Sequence, residues 1–169
     1  MTREEFAKFS MALKTFYPKD NIMANEQAME LWYSMLQDID YKIAEMSLNK
    51  WVLTNKWSPT IADIREMAVN VEQGDEITWD ESFDEARRMI RKYGYPRQKE
   101  ALEEMRPITR QVVERMGYMD MCMCEDIEVE RGQYRMAFEN QAKRNKEYNQ
   151  LPERLKEQIA EAQRRLLNG

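Results

Sequence analysis

The chain has 169 residues, 43% hydrophobic and 34% charged, with a net charge of −5. That length suits one domain or two small ones, the apolar share excludes disorder throughout, and the negative balance excludes a strong overall pull toward DNA or acidic membranes. Histidine is absent and glycine and proline number five each, so the commonest neutral-pH base and metal ligand is missing and an all-β fold lacks its turns.

Thr2 and Glu5 have capping-box spacing, and Phe6, Phe9, Leu13 and Phe16 follow at helical intervals until Pro18. A loop runs to about Asn25, and a second helix carries Met29, Trp32, Tyr33 and Leu36 on one face. Asp40 is a candidate N-cap for a third helix with Tyr41, Ala44, Leu48, Trp51 and Val52. Ser58 as cap and Pro59 at the first helical position predict a fourth helix with Ile61, Ile64, Ala68 and Val71, ended by Gly74. Together these supply the core of a small four-helix module over 1–74.

The polar stretch 73–77 is the best linker candidate. Thr78 and Glu81 repeat the capping box, and Trp79, Phe83, Ala86, Ile90 and Tyr93 make a fifth helix closed by Gly94. A short helix near 97–105 follows the Tyr95-Pro96 turn, and Pro107 opens another that ends at Gly117. A helix with Tyr134, Phe138 and Ala142 precedes a polar stretch at 145–149, and Pro152 opens a last helix with Leu155, Ile159, Ala162 and Leu166. The fold class is therefore all-α, with the N-terminal module followed by a second helical module over 78–169.

Chemistry-bearing motifs are sparse. Asp80, Glu81, Asp84 and Glu85 suit the positive end of a helix dipole without further explanation. No Walker loop, Gly-rich phosphate loop or Ser nucleophile elbow occurs, so the expectation is a non-enzymatic protein without cofactor or catalytic residues. Met119, Met121, Cys122, Met123 and Cys124 form a soft-ligand cluster, more simply read as a buried turn packed with methionine than as a metal site. The adjacent cysteines suit no unstrained disulfide. With no signal-like or membrane-spanning run, they predict a soluble, cytoplasmic protein.

Arg87, Arg88, Arg91 and Lys92, followed by Tyr93, Tyr95 and Arg97, make a basic strip with aromatics. It is either a weak single-strand nucleic-acid site or a solvated helix face. Trp32 and Trp51 fall on core faces. Trp57, just before the Ser-Pro pair, is either a hydrophobic staple, the simpler reading, or an exposed anchor for a partner. The candidate partner-binding residues are thus Trp57, Arg87, Arg91, Tyr95 and Arg97.

The opening Thr2-Arg3-Glu4-Glu5-Phe6, the segment 25–32 and Leu36-Gln37-Asp38-Ile39-Asp40-Tyr41 form one pattern with Asn49-Lys50-Trp51 and Trp57-Ser58-Pro59-Thr60-Ile61-Ala62-Asp63-Ile64-Arg65. Over about residues 1–73 this pattern resembles the phage and prophage loader-and-inhibitor proteins of replicative helicases. The resemblance implies a helical N-terminal domain and a flexible C-terminal part that contacts the helicase. It also implies binding to a hexameric, DnaB-type helicase, inhibition of it, and its delivery to an origin-bound initiator. Residues 78–169 depart from the shorter members in being long and patterned, and no contact residue carries over singly. Two other functions compete: a DNA-binding replisome or regulatory protein using the basic strip, and a viral inhibitor of another host machine such as a defence nuclease.

Overall fold

The computed structural model describes residues 1–74 and 77–167 and holds ten α-helices and no strand among them. The protein is all-α. Its described residues form two compact units, one drawn from 1–74 and 146–167, the other from 77–145. The linker expected over 73–77 includes Asp75 and Glu76, which lie outside the described residues.

In the first unit α1 (Arg3–Phe16), α2 (Glu26–Leu36), α3 (Tyr41–Thr54) and α4 (Ile61–Gln73) each start at a side-chain cap. The Glu5 carboxylate accepts from Thr2 N at 2.7 Å and Thr2 Oγ1 accepts from Glu5 N at 3.3 Å. Asn25 caps Ala28 N at 2.8 Å, and Asp40 caps Lys42 N at 2.8 Å. Each cap satisfies an amide that the first helical turn leaves without a partner. The helices close over Phe6, Phe9, Leu13, Leu36, Leu48 and Ile64.

Two expectations change here. The fourth helix is capped by Thr60, with Ser58 and Pro59 outside it. Thr60 forms a reciprocal box with Asp63, whose carboxylate accepts from Thr60 N at 2.8 Å. A side chain that both gives and receives at the N3 position outcompetes a lone serine. Trp51 is only half-buried and lies outside the central cluster, whereas Trp32 packs against it.

The second unit contains α5 (Trp79–Tyr93), a 3₁₀ turn (Tyr95–Arg97), α6 (Gln98–Glu104), α7 (Pro107–Met116) and α8 (Tyr118–Met123). It also takes in most of α9 (Ile127–Asn149). Thr78 N donates to Glu81 at 3.0 Å, as the capping pattern predicts. Phe83, Ile90, Val112, Val113, Tyr118, Met121, Tyr134 and Phe138 make its core. A polar seam runs through that core. Ser82 Oγ hydrogen-bonds Tyr134 OH at 2.7 Å and Thr109 Oγ1 at 3.0 Å, and Thr109 donates to Glu85 at 2.5 Å.

The Met/Cys stretch is a short helix, not a buried turn. Tyr118 and Met121 point inward, while Met119 and Met123 are exposed. The polar stretch 145–149 does not break α9, whose residues from Lys146 onward group with the first unit. α10 (Glu153–Leu167) belongs to that unit as well. Among the described residues no helix is long and apolar enough to cross a membrane.

Candidate functional site

The turn between α3 and α4 is built from the end of α3 outward. Asn55 N caps the helix on Trp51 O at 2.8 Å, and Thr54 Oγ1 donates to Lys50 O at 2.8 Å. The Trp51 indole Nε1 then donates to Trp57 O at 2.9 Å. Pro59 is buried, and the Thr60–Asp63 box closes the far side. The backbone on either side of Trp57 is thus held, yet the side chain is 81% exposed. Trp57 is therefore not a staple. With Thr60 as the cap, the preceding position belongs to the buried Pro59. Leu53, one turn earlier, is 85% exposed, and Met46 on the same helix face is exposed too.

A second feature of this unit is a polar clamp. The buried Arg65 guanidinium makes a two-pronged pair with Asp38, both contacts 2.9 Å, and donates to Met35 O at 2.6 Å. Its Nε donates to the Gln150 carbonyl, and Glu153 N donates to Asp38 at 3.3 Å. Lys146 pairs with Glu66 at 2.7 Å. Residues 146–153 are thereby tied to the α2–α3 turn and to α4. A cavity of about 180 Å³ lies beside the clamp, lined by Ile39, Val69, Glu72 and Lys156 among others. Burial pushes the Asp38 carboxyl up. The hydrogen bonds and charge of Arg65, with the Glu153 amide, outweigh burial and hold it below its ordinary range. Beyond the clamp, α10 has no buried residue, and Leu166 is 84% exposed.

In the second unit the basic strip of α5 divides. Arg87 turns inward, donating to Met121 O at 3.0 Å and pairing with Glu130 at 3.0 Å. Burial pushes the Glu130 carboxyl up, and Arg87 opposes the shift without cancelling it. Lys92 pairs with Glu104 at 2.7 Å, and Tyr93 OH also donates to Glu104. Arg97 donates to Lys92 O at 3.1 Å and covers the Tyr93 ring at 4.9 Å. Arg88, Arg91 and Tyr95 are exposed. Of the candidate residues here, Arg91 and Tyr95 face solvent, Arg87 serves internal packing, and Arg97 stays on the surface with its guanidinium turned onto its own helix end. Trp57 belongs to the other unit.

Sequence reasoning missed Leu53, Met46 and the Arg65–Asp38 clamp. The i, i+7 spacing of two apolar residues on the polar side of α3 was the available signal for the first two. Cys122 and Cys124 are free and half-buried, and burial pushes the Cys122 thiol up, away from reactive thiolate character. Among the described residues no group of three or more Cys, Asp or Glu is placed to hold a metal ion.

Residues 1–65 match a family model, that of the N-terminal domain of a phage helicase loader/inhibitor. The match takes in α1 to α3, the Trp57 turn, and the start of α4 as far as Arg65. No curated protein and no solved structure matches the chain.

Proposed function

We propose that this is a phage or prophage replication protein that binds a hexameric, DnaB-type replicative helicase, holds it inactive and assists its loading at the origin. The match of residues 1–65 to the N-terminal domain of the phage helicase loader/inhibitors carries the reading. The protein works in the host cytoplasm and meets an origin-bound initiator as its second partner.

A protein without catalytic machinery of its own can act on a helicase only by differential binding. It must favour one helicase conformation and shift that equilibrium by as much as its affinities differ. Exposed methionines suit such work, since an unbranched thioether repacks against changing surfaces. Met11 and Met46 in the first unit and Met123 and Met136 in the second are more than half exposed. The basic strip supports direct DNA binding less well. Its Arg87, Lys92 and Arg97 are engaged within the unit, which leaves two guanidinium groups and one phenol for phosphates.

The deciding experiment mixes the full-length protein with the replicative helicase of its host. Co-elution in size exclusion and a lowered ATPase rate are the expected result. No complex and an unchanged ATPase would overturn the reading. Strongly salt-dependent binding to a single-stranded oligonucleotide in its place would favour the basic strip.

A further inference from the structure

We infer that residues 146–167 are a releasable strap: the Arg65–Asp38 clamp of the first unit grips them by two main-chain groups and withholds their apolar stripe from the helicase until they let go. The inference rests on the loader reading, in which the C-terminal part meets the helicase, and adds how that contact is regulated.

The first observation is where the charges stand. α9 ends at Asn149 and α10 starts at Glu153. Arg65 donates to the Gln150 carbonyl, just past the end of α9, and Asp38 accepts from Glu153 N, the first amide of α10. A cation thus meets the negative end of one helix and an anion the positive end of the next. The Pro152 carbonyl accepts from Lys156 N at 3.1 Å, so Pro152 occupies the cap position of α10, and it brings no side-chain oxygen. Asp38, 115 residues away in sequence, supplies the missing acceptor.

The second observation is how little is buried beneath the strap. No residue of 146–167 is fully buried. The cavity of about 180 Å³ lies in this joint, between Asn149, Glu153 and Lys156 of the strap and Ile39, Val69 and Glu72. A segment without a buried side chain, over a gap, opens well before a packed core does. A helix of 15 residues is marginal by itself in water, so α10 loses order when its borrowed cap leaves.

The third observation is that the clamp outlasts release. Arg65 keeps both contacts to Asp38 and its bond to Met35 O, and only its Nε loses a partner. The strap gives up one carbonyl and one amide, which water then satisfies. Docked and released states are both within reach of such an exchange. Leu155, Ile159, Ala162 and Leu166 share one helix face. Docking leaves Leu155 and Leu166 exposed but half-buries Ile159 in the middle of that face. Only the released strap offers all four to a groove on a partner, regaining helix as it binds.

The test uses the full-length protein in three forms: wild type, Glu153→Pro and Glu153→Ala. Glu153→Pro deletes the amide that Asp38 holds, at the first helical position, where proline is favoured. Glu153→Ala removes the same side chain, with its Lys156 pair, and keeps the amide. Hydrogen exchange at 157–167 is expected to quicken about tenfold in Glu153→Pro, the loss of one hydrogen bond to a charged group, with Leu13 and Leu48 unchanged. Glu153→Ala should stay within about twofold of wild type. Helicase binding should tighten about fivefold in Glu153→Pro relative to Glu153→Ala, because less of the protein sits in the docked state. Exchange no faster in Glu153→Pro than in Glu153→Ala would overturn the strap, as would exchange that quickens across α1 to α4 alike. Faster exchange with helicase affinity unchanged would overturn the withholding role. Failure of the wild type to bind the helicase would remove the loader reading, and the exchange result would still decide whether the strap releases.

Discussion

The two units place their buried polar groups differently. In the first, Ser10 and Ser47 are buried but donate to Ala7 O and Ile43 O of their own helices, at 2.9 and 2.7 Å. In the second, Ser82, Thr109, Glu85 and Tyr134 are bonded to one another across α5, α7 and α9. Hydroxyls satisfied within a helix do not say which neighbour that helix should meet; a network between helices does. The first unit therefore specifies its packing through apolar shape and helix caps. The second adds hydrogen bonds that only one arrangement of three helices can complete. The first unit's one buried charged side chain among the described residues, Arg65, joins distant segments at the Asp38 clamp, where residues 146–153 are held, while Arg3 meets Glu30 on the surface.

The largest effect should come from breaking a buried ion pair in the second unit. In Arg87→Met the Glu130 carboxylate, 3% exposed, loses its counter-charge, which should cost about 3–5 kcal/mol. Hydrogen exchange resolved by unit should show α5, α8 and α9 loosening while α1 to α4 stay protected. Adding Glu130→Leu should recover most of the loss, because two matched apolar groups leave no buried charge. A variant as stable as the wild type would mean that water reaches Glu130.

A direct comparison of the two kinds of hydroxyl comes next in size. Thr109→Val removes the donor to Glu85 and a partner of Ser82 together, and should cost about 1–3 kcal/mol. Ser47→Ala removes only a bond to its own helix, and alanine's better helix propensity offsets much of that, leaving about 0.5 kcal/mol or less. Denaturant midpoints at constant slope measure both. Equal costs would erase the distinction.

Acid should act on the units with opposite sign. Asp38 is held below its ordinary 3.8, so its contribution is fully present above that pH and is lost as pH falls through its lower folded value. Glu130 is raised above its ordinary 4.5. The folded protein then binds that proton more tightly than the unfolded chain does. The second unit is therefore relieved as pH falls through the raised value, and the relief is complete below 4.5. The stability difference between wild type and Glu130→Gln should change sign of slope relative to that between wild type and Asp38→Asn. Parallel slopes would refute the assignment.

Signals confined to a few residues were legible in the sequence. Thr2 with Glu5, Thr78 with Glu81, Pro107 at a helix start and Gly117 at a helix end all stand where spacing puts them. Gly117 has φ +93°, a backbone conformation that an L side chain rarely adopts, which is why a glycine stands there. Two competing local signals were misjudged, as where Thr60 displaced Ser58. In 119–124 the methionines alternate in a period of two, hiding the i, i+3 pair of Tyr118 and Met121 that the helix buries. The partners of residues 146–153 were not legible at all. Arg65 meets Gln150 across 85 residues, and no periodicity encodes which distant carbonyl an arginine will find. The same holds at the candidate site, where the staple reading of Trp57 falls only once Thr60 is known to be the cap.

A local effect bears on whether the first unit holds its turn as firmly as its core. Trp51→Phe keeps most of the ring and deletes one donor, the Nε1 hydrogen bond to Trp57 O. A single neutral hydrogen bond at a partly exposed site contributes about 1 kcal/mol, which shifts the melt of a unit this size by roughly 4–8 °C. Because Trp51 is half-buried and lies outside the central cluster, Trp51→Ala should cost less than the roughly 3–5 kcal/mol of a tryptophan lost from a core. The Phe variant should speed amide exchange at Lys56 and Trp57 without touching Leu13 or Leu48. Exchange that quickens across α1 to α4 alike would place Trp51 in the cooperative core after all. No change anywhere would mean that Pro59 and the Thr60–Asp63 box hold the turn without it.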